Sequence, residues 1–153
     1  MCLDASDNMT YMTRNNSLTD LNVLNYRSLE VHGLSFELMV DRKPIGEIVG
    51  TSDTAVPYWL FKTGVALRPL SQLNSGDTGK RVVAVCPCGT YGCSCISCNV
   101  VQSWDRNIVF REFTTDLRSS LLPFNLLIFS FSLDNYNSVV KSIFDDIRVF
   151  EAI

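Results

Sequence analysis

The run LLIFSFSLDNYNSVVKSIFDDIRVFEAI, residues 126–153, changes its period halfway along. Up to Leu133 the large residues alternate, with Leu127, Phe129, Phe131 and Leu133 on one face, which is strand spacing. From Tyr136 on, Val139, Val140, Ile143, Ile147 and Phe150 recur at helical spacing, leaving Lys141, Asp145 and Arg148 outward. Asp134 stands where the helix N-cap belongs. A strand that feeds straight into a terminal amphipathic helix needs other strands to complete the core.

Those strands are legible upstream. In LSFELMVD, residues 34–41, Leu34, Phe36, Leu38 and Val40 alternate with Ser35, Glu37, Met39 and Asp41, the pattern of a half-buried strand. DRKP then turns the chain, IGEIVG reads as a short strand or helical turn, and YWLF (58–61) is an aromatic segment that caps the core. NSGDTGK is dense in turn formers and introduces RVVAVCPC, and CSCISCNVVQSW and NIVFREF follow as a β-meander. The expectation is an α+β fold: mostly antiparallel sheet, meander- or sandwich-like, with a C-terminal packed helix. Residues 1–153 form one domain in this reading, with 1–20 a loose N-terminal arm.

Composition sets the class. The chain has 153 residues, 46% of them hydrophobic, which is enough for a real core. A net charge of −3 argues against nonspecific nucleic-acid binding and fits a basic partner. The N-terminus carries Asp4 and Asp7 and no unbroken apolar run, so it does not read as a secretory signal. The apolar run at 121–133 is interrupted by Pro123 and Asn125 and is too short for a bilayer. A cytoplasmic protein with reduced thiols is expected, without a membrane or nucleic-acid partner.

Five of the six cysteines fall in VCPCGTYGCSCISC, residues 85–98. With GTYG as a four-residue loop, Cys88 pairs with Cys93 and Cys86 with Cys95, placing four thiols on one face and Cys98 on the other. Zinc is one reading, with Cys86, Cys88, Cys93 and Cys95 as ligands. However, each pair is C-x-C on an extended strand, whereas structural zinc sites use knuckles with wider spacing. Small buried core thiols are the other reading, and redox chemistry a third.

No catalytic constellation emerges. The single histidine, His32, has no spacing that ties it to a thiol nucleophile. The glycines at 46, 50, 64, 76 and 79 match no phosphate-binding loop, and no cofactor motif is present. Binding is the function left. Trp59 and Trp104 are candidate interface anchors. Asp53, Asp77, Asp105, Glu112 and Asp116 would offer an acidic face to a basic partner. Taken singly, each tryptophan also fits the core and each acid also fits ordinary surface charge.

FELMVDRKPIGEIVG, then PYWLF, then GKRVVAVCPCGTYGCSC and IVFREF, resemble in order a group of small uncharacterised bacterial proteins. The shared feature is a C-x-C-G-x-x-G-C hairpin, here Cys86, Cys88, Gly89, Gly92 and Cys93; the terminal SLDNYNSVVKSI segment is similar too. By type, small acidic proteins of this kind look like immunity proteins of contact-dependent growth inhibition systems. The resemblance implies a non-enzymatic protein that binds a cognate toxin, often a nuclease, and blocks its active site. A thiol-rich zinc-binding protein and a small enzyme of another class are the alternatives.

Overall fold

The computed structural model describes residues 20–30, 33–51, 54–69, 79–86, 94–115 and 126–152. The alternation at 34–41 builds β2 (Leu34–Val40), which pairs antiparallel with β1 (Leu24–Glu30), Leu24 opposite Val40 and Glu30 opposite Leu34. Phe36, Leu38 and Val40 are buried as expected, yet Ser35 and Glu37 on the opposite face are buried as well. Glu37 meets the exposed Arg27 guanidinium at 2.5 Å across the β1–β2 ladder, which offsets part of the cost of burying a carboxylate. β2 is thus buried on both faces, and period alone could not show that.

DRKP turns as expected. Asp41 and Arg42 both take positive φ, 51° and 74°, the pattern of a type I′ turn, and lead into β3 (Lys43–Pro44). Such turns favour Asn-Gly, so this one needs support. It comes from Asp41, whose carboxylate accepts the Val23 N–H at 2.8 Å and the Asn22 side-chain amide at 2.7 Å. IGEIVG resolves into α1 (Ile45–Val49), closed by Gly50 at φ 91° with its N–H on the Gly46 carbonyl. β4 (Val56–Pro57) returns to the same flank of β2, and YWLF enters α2 (Tyr58–Lys62) with Leu60 and Phe61 buried.

The meander follows: β5 (Gly79–Val85), β6 (Cys95–Gln102), β7 (Ile108–Thr115) and β8 (Ile128–Phe131) are neighbours in chain order. The two sheets are stitched on both flanks. On one, the Asn22 N–H donates to the Ser130 carbonyl at 2.7 Å and Asn22 bridges Phe131. On the other, Thr54 N–H reaches the Val85 carbonyl at 2.9 Å and Val82 N–H the Val65 carbonyl at 3.0 Å.

α3 (Leu133–Glu151) starts earlier than expected. Ser132 is the N-cap, its hydroxyl accepting the Asn135 N–H at 3.0 Å, and Asp134 sits in the first turn, where the helix dipole favours a carboxylate. Tyr136, Val139, Val140, Ile143 and Ile147 are buried, whereas Phe150 is 37% exposed and leans on Tyr58 instead. The helix touches both sheets: Tyr136 packs on Phe110 of β7, and Asp146 accepts the Tyr26 hydroxyl of β1 at 2.8 Å. The observed fold is α+β, antiparallel sheets with a C-terminal packed helix. No helix among the described residues is long and apolar enough to cross a membrane.

Asn135 ties helix to sheet by mimicking a peptide group. Its Oδ1 accepts the Leu24 N–H at 2.7 Å and its Nδ2 donates to the Leu24 carbonyl at 3.0 Å. Leu24 is buried, so Asn135→Ala strands two backbone groups away from water. A loss of about 2–3 kcal/mol is expected, lowering Tm by roughly 5–10 °C in a thermal melt. Asn135→Asp, which keeps the acceptor, recovers part of it.

Candidate functional site

Trp104 belongs to the turn that joins β6 to β7. Ser103 N–H donates to the Asn107 carbonyl at 2.8 Å and Arg106 N–H to the Ser103 carbonyl at 2.8 Å. Arg106 then takes φ 75°, so Trp104, Asp105 and Arg106 form a three-residue loop of the turn-plus-bulge kind. The Asp105 carboxylate accepts the Asn107 N–H at 3.3 Å and the Ser103 hydroxyl. The Ser103 hydroxyl, then the Asn107 N–H, hold its carboxyl below the usual carboxylate range. Five residues fix their own backbone, and the indole at the first loop position is 95% exposed. An indole held this way leaves a large apolar area in water, and tryptophan is among the residue types most enriched in interface anchors.

Trp59 is placed differently. It lies in α2, 42% exposed, beside Tyr58 and Lys62; Tyr58 stacks near Phe150 at 5.2 Å and Lys62 pairs with Glu151. α2 therefore sits by the last turns of α3. The 103–107 turn lies at the other end, since Ile108 pairs with Phe131, just before the α3 N-cap. A helix of 19 residues spans roughly 28 Å, so the two tryptophans mark opposite ends of the molecule.

Of the candidate acids, the described residues include two, and these stand apart along β7. Asp105 is at the turn, whereas Glu112 sits in β7 some four residues beyond Ile108, about 13 Å along the strand. Glu112 occupies a β-bulge at φ 58°, where pairing steps from Asn99↔Arg111 to Ser97↔Thr114, and its carboxylate takes the Asn99 side-chain amide. Asp53, Asp77 and Asp116 lie outside the described residues.

The thiol hairpin is shifted by one residue. Val85, not Cys86, stands opposite Cys95, and the Cys86 N–H donates to the Ser94 carbonyl at 3.0 Å. Cys86 and Cys95 thus lose the shared face expected for them. The register is set partly by an extra residue at Val83, between Val82 and Ala84, which a run of valines does not announce. Cys88 and Cys93 lie outside the described residues, among which no group of three or more His, Cys, Asp or Glu is placed to hold a metal ion. Cys95 lines a cleft of about 300 Å³ with Ser97, Lys80, Arg81, Val82, Val65 and Gly64; it holds two cations, a thiol and a hydroxyl, but neither carboxylate nor imidazole.

Cys98 faces the core with Ile96 and Val100 and is fully buried, which pushes its thiol well above 9.0. Burial also raises Tyr26 to about 12, helped by the hydrogen bond to Asp146, and raises the Tyr136 hydroxyl. Each folded value lies above the unfolded one, so this stabilisation is complete below pH 9–10 and is lost as pH climbs through the folded values. Tm measured from pH 7 to 11 is expected to hold up to about pH 9 and then fall steadily. Cys98 is expected to stay closed to thiol reagents until that fall begins.

Arg42, Lys43 and Arg106 were not singled out by the sequence, although DRKP and SWDR mark both turns as charged. Comparison of the chain with protein-family models, with curated proteins and with solved structures returned no match.

Proposed function

We propose that this chain is a binding protein that neutralises a toxin, an immunity protein of the contact-dependent growth inhibition type. In this proposal it acts without turnover, inside the cell that makes the toxin, by covering the toxin's active site. The observation that carries it is Trp104, 95% exposed on a turn whose backbone is hydrogen-bonded and whose Ser103, Asp105 and Asn107 side chains bond one another. A preorganised anchor loses little entropy on binding, so its burial converts efficiently into affinity and slow release. The toxin class comes from the resemblance of the segments around Cys86–Gly92 and Tyr58–Phe61, joined to small size and acidic charge. A nuclease is the proposed target.

The polypeptide encoded immediately upstream is the partner to try. Co-expression should yield a one-to-one complex by native mass spectrometry, and that polypeptide should arrest growth only when this protein is absent. Arrest that persists despite co-expression, or an upstream product harmless on its own, would contradict the proposal.

A further inference from the structure

We propose that the cleft beside β5 binds a small organic phosphate, a phosphomonoester dianion, through Lys80, Arg81 and Ser97. This goes beyond the toxin reading, because Cys95 and Ser97 lie toward the opposite end of β6 from the Trp104 turn. The walls of the cleft follow from the strand pairing. Gly64 and Val65 run along the edge of β5, where the Val82 N–H donates to the Val65 carbonyl at 3.0 Å. Val82 stands opposite Ser97, and Cys95 is two residues before Ser97 on the same strand, so the three share one side of the sheet. The space they enclose with Gly64, Val65, Lys80 and Arg81 is about 300 Å³. Ser97 and Cys95 are buried and Lys80 is exposed, so it runs from a buried floor to an open rim.

The charges that line the cleft are of one sign. Arg81 is fixed there by its Nη1, which donates to the Gly64 carbonyl at 2.6 Å. Lys80 precedes it on β5 and makes no ion pair among the described residues. Arg68 adds a third cation nearby, its Nε 4.0 Å from where a Cβ on Gly64 would stand. No carboxylate is among the lining residues. Glu112 approaches from β7, but its carboxylate takes the side-chain amide of Asn99, the residue opposite Lys80. The net charge of −3 opposes an anion only from a distance, because physiological salt screens exposed charges beyond about 8 Å.

Chemistry selects the ligand. Two cations on one cleft repel each other, and a ligand with two negative charges relieves that repulsion best. A phosphomonoester has a second pKa of about 6, so near neutrality it carries close to two charges on three acceptor oxygens. The donors match it: the Lys80 ammonium, the planar Arg81 fork and the Ser97 hydroxyl. That hydroxyl meets the Cys95 thiol at 3.8 Å, a weak contact that a phosphate oxygen displaces. A carboxylate offers one charge and two oxygens, and leaves a cation uncompensated. Val65 and Val82 supply apolar wall, and the volume is that of a small-molecule pocket, roomier than a bare phosphate needs. The ligand therefore carries an apolar body beside its phosphate.

The test uses two probes that share a ring and differ in their charged group. Phenyl phosphate and benzoate are titrated separately into the full chain in phosphate-free buffer at about pH 7.5, where the monoester is a dianion. The readouts are the backbone amide resonances of Gly64, Val65 and Ser97, with calorimetry for affinity. Phenyl phosphate is expected to shift all three amides and to bind at least about fivefold more tightly than benzoate. Lys80→Gln, at an exposed position, should melt as the parent does and bind phenyl phosphate at least about fivefold more weakly. Ser97→Ala should also bind it more weakly. The proposal is overturned if phenyl phosphate shifts none of the three amides, if it binds Lys80→Gln as it binds the parent, or if benzoate binds as tightly. The result is independent of the toxin assignment, which the upstream polypeptide decides.

Discussion

Phe110→Ala is expected to remove about 3–5 kcal/mol of folding stability, the usual range for emptying a buried phenylalanine site. Phe110 is fully buried, with its ring edge-on to Phe131 at 4.8 Å and to Tyr136 at 6.4 Å. Those contacts meet where three parts of the chain join. Phe131 ends β8, bridges Asn22 on the way into β1, and precedes the cap of α3. A cavity there loosens the second sheet, the helix and the stitch between sheets together, so little relaxation is available to fill it. Domains of this size are stable by roughly 5–15 kcal/mol, so the variant should populate unfolded chain near physiological temperature. Urea denaturation is the check: the midpoint should fall sharply with the slope unchanged. Phe110→Leu, nearer in volume, should cost under about 1.5 kcal/mol. A Phe110→Ala loss below about 1 kcal/mol would show that the sheet faces are assigned wrongly.

Trp104→Ala has the opposite profile. The side chain is 95% exposed, so folding loses almost nothing, and Tm should stay within about 1 °C of the parent. Affinity for the proposed toxin partner should fall by about 2–4 kcal/mol, roughly 30- to 1,000-fold, with most of the change in the dissociation rate. Trp104→Phe keeps the ring and should recover part of it. Trp59→Ala is the instructive contrast. Trp59 is more than half covered and sits between Tyr58 and the buried Leu60, so its removal should lower Tm and leave affinity within about threefold. If Trp59 rather than Trp104 governed binding, the proposed face would be at the wrong end of α3.

What could be read in the sequence was local. The change of period at residues 126–153 located β8 and α3, the β-rich segments RVVAV, CISCNVVQ and IVFREF located strands of the meander, and DRKP and Asp105–Arg106 located the turns at 41–42 and 104–106, whereas NSGDTGK and GTYG fall largely outside the described residues. What escaped depends on partners far along the chain. Ser132 caps α3 in place of Asp134 because the strand ends at Phe131, two residues short of Leu133, and its hydroxyl reaches the Asn135 N–H. Ser35 and Glu37 are buried although alternation sends them outward, and the Glu37 ion pair with Arg27 comes from across a hairpin. The bulges at Val83 and Glu112 shift registers without any glycine to mark them. The same limit applies to the site. A tryptophan next to Asp-Arg fits a strand end or a turn tip equally well, and only the turn's hydrogen bonds separate the two. That Asp41 holds its turn in place follows from its contact with Asn22, nineteen residues away.

The most direct test of the central claim is a calorimetric titration of the upstream polypeptide with the parent protein and with Trp104→Ala, alongside both melting curves. The account predicts a one-to-one complex for the parent and at least about 30-fold weaker binding for a variant that melts at the same temperature. Equal affinity for the two proteins would contradict it, and so would the absence of any complex with the parent.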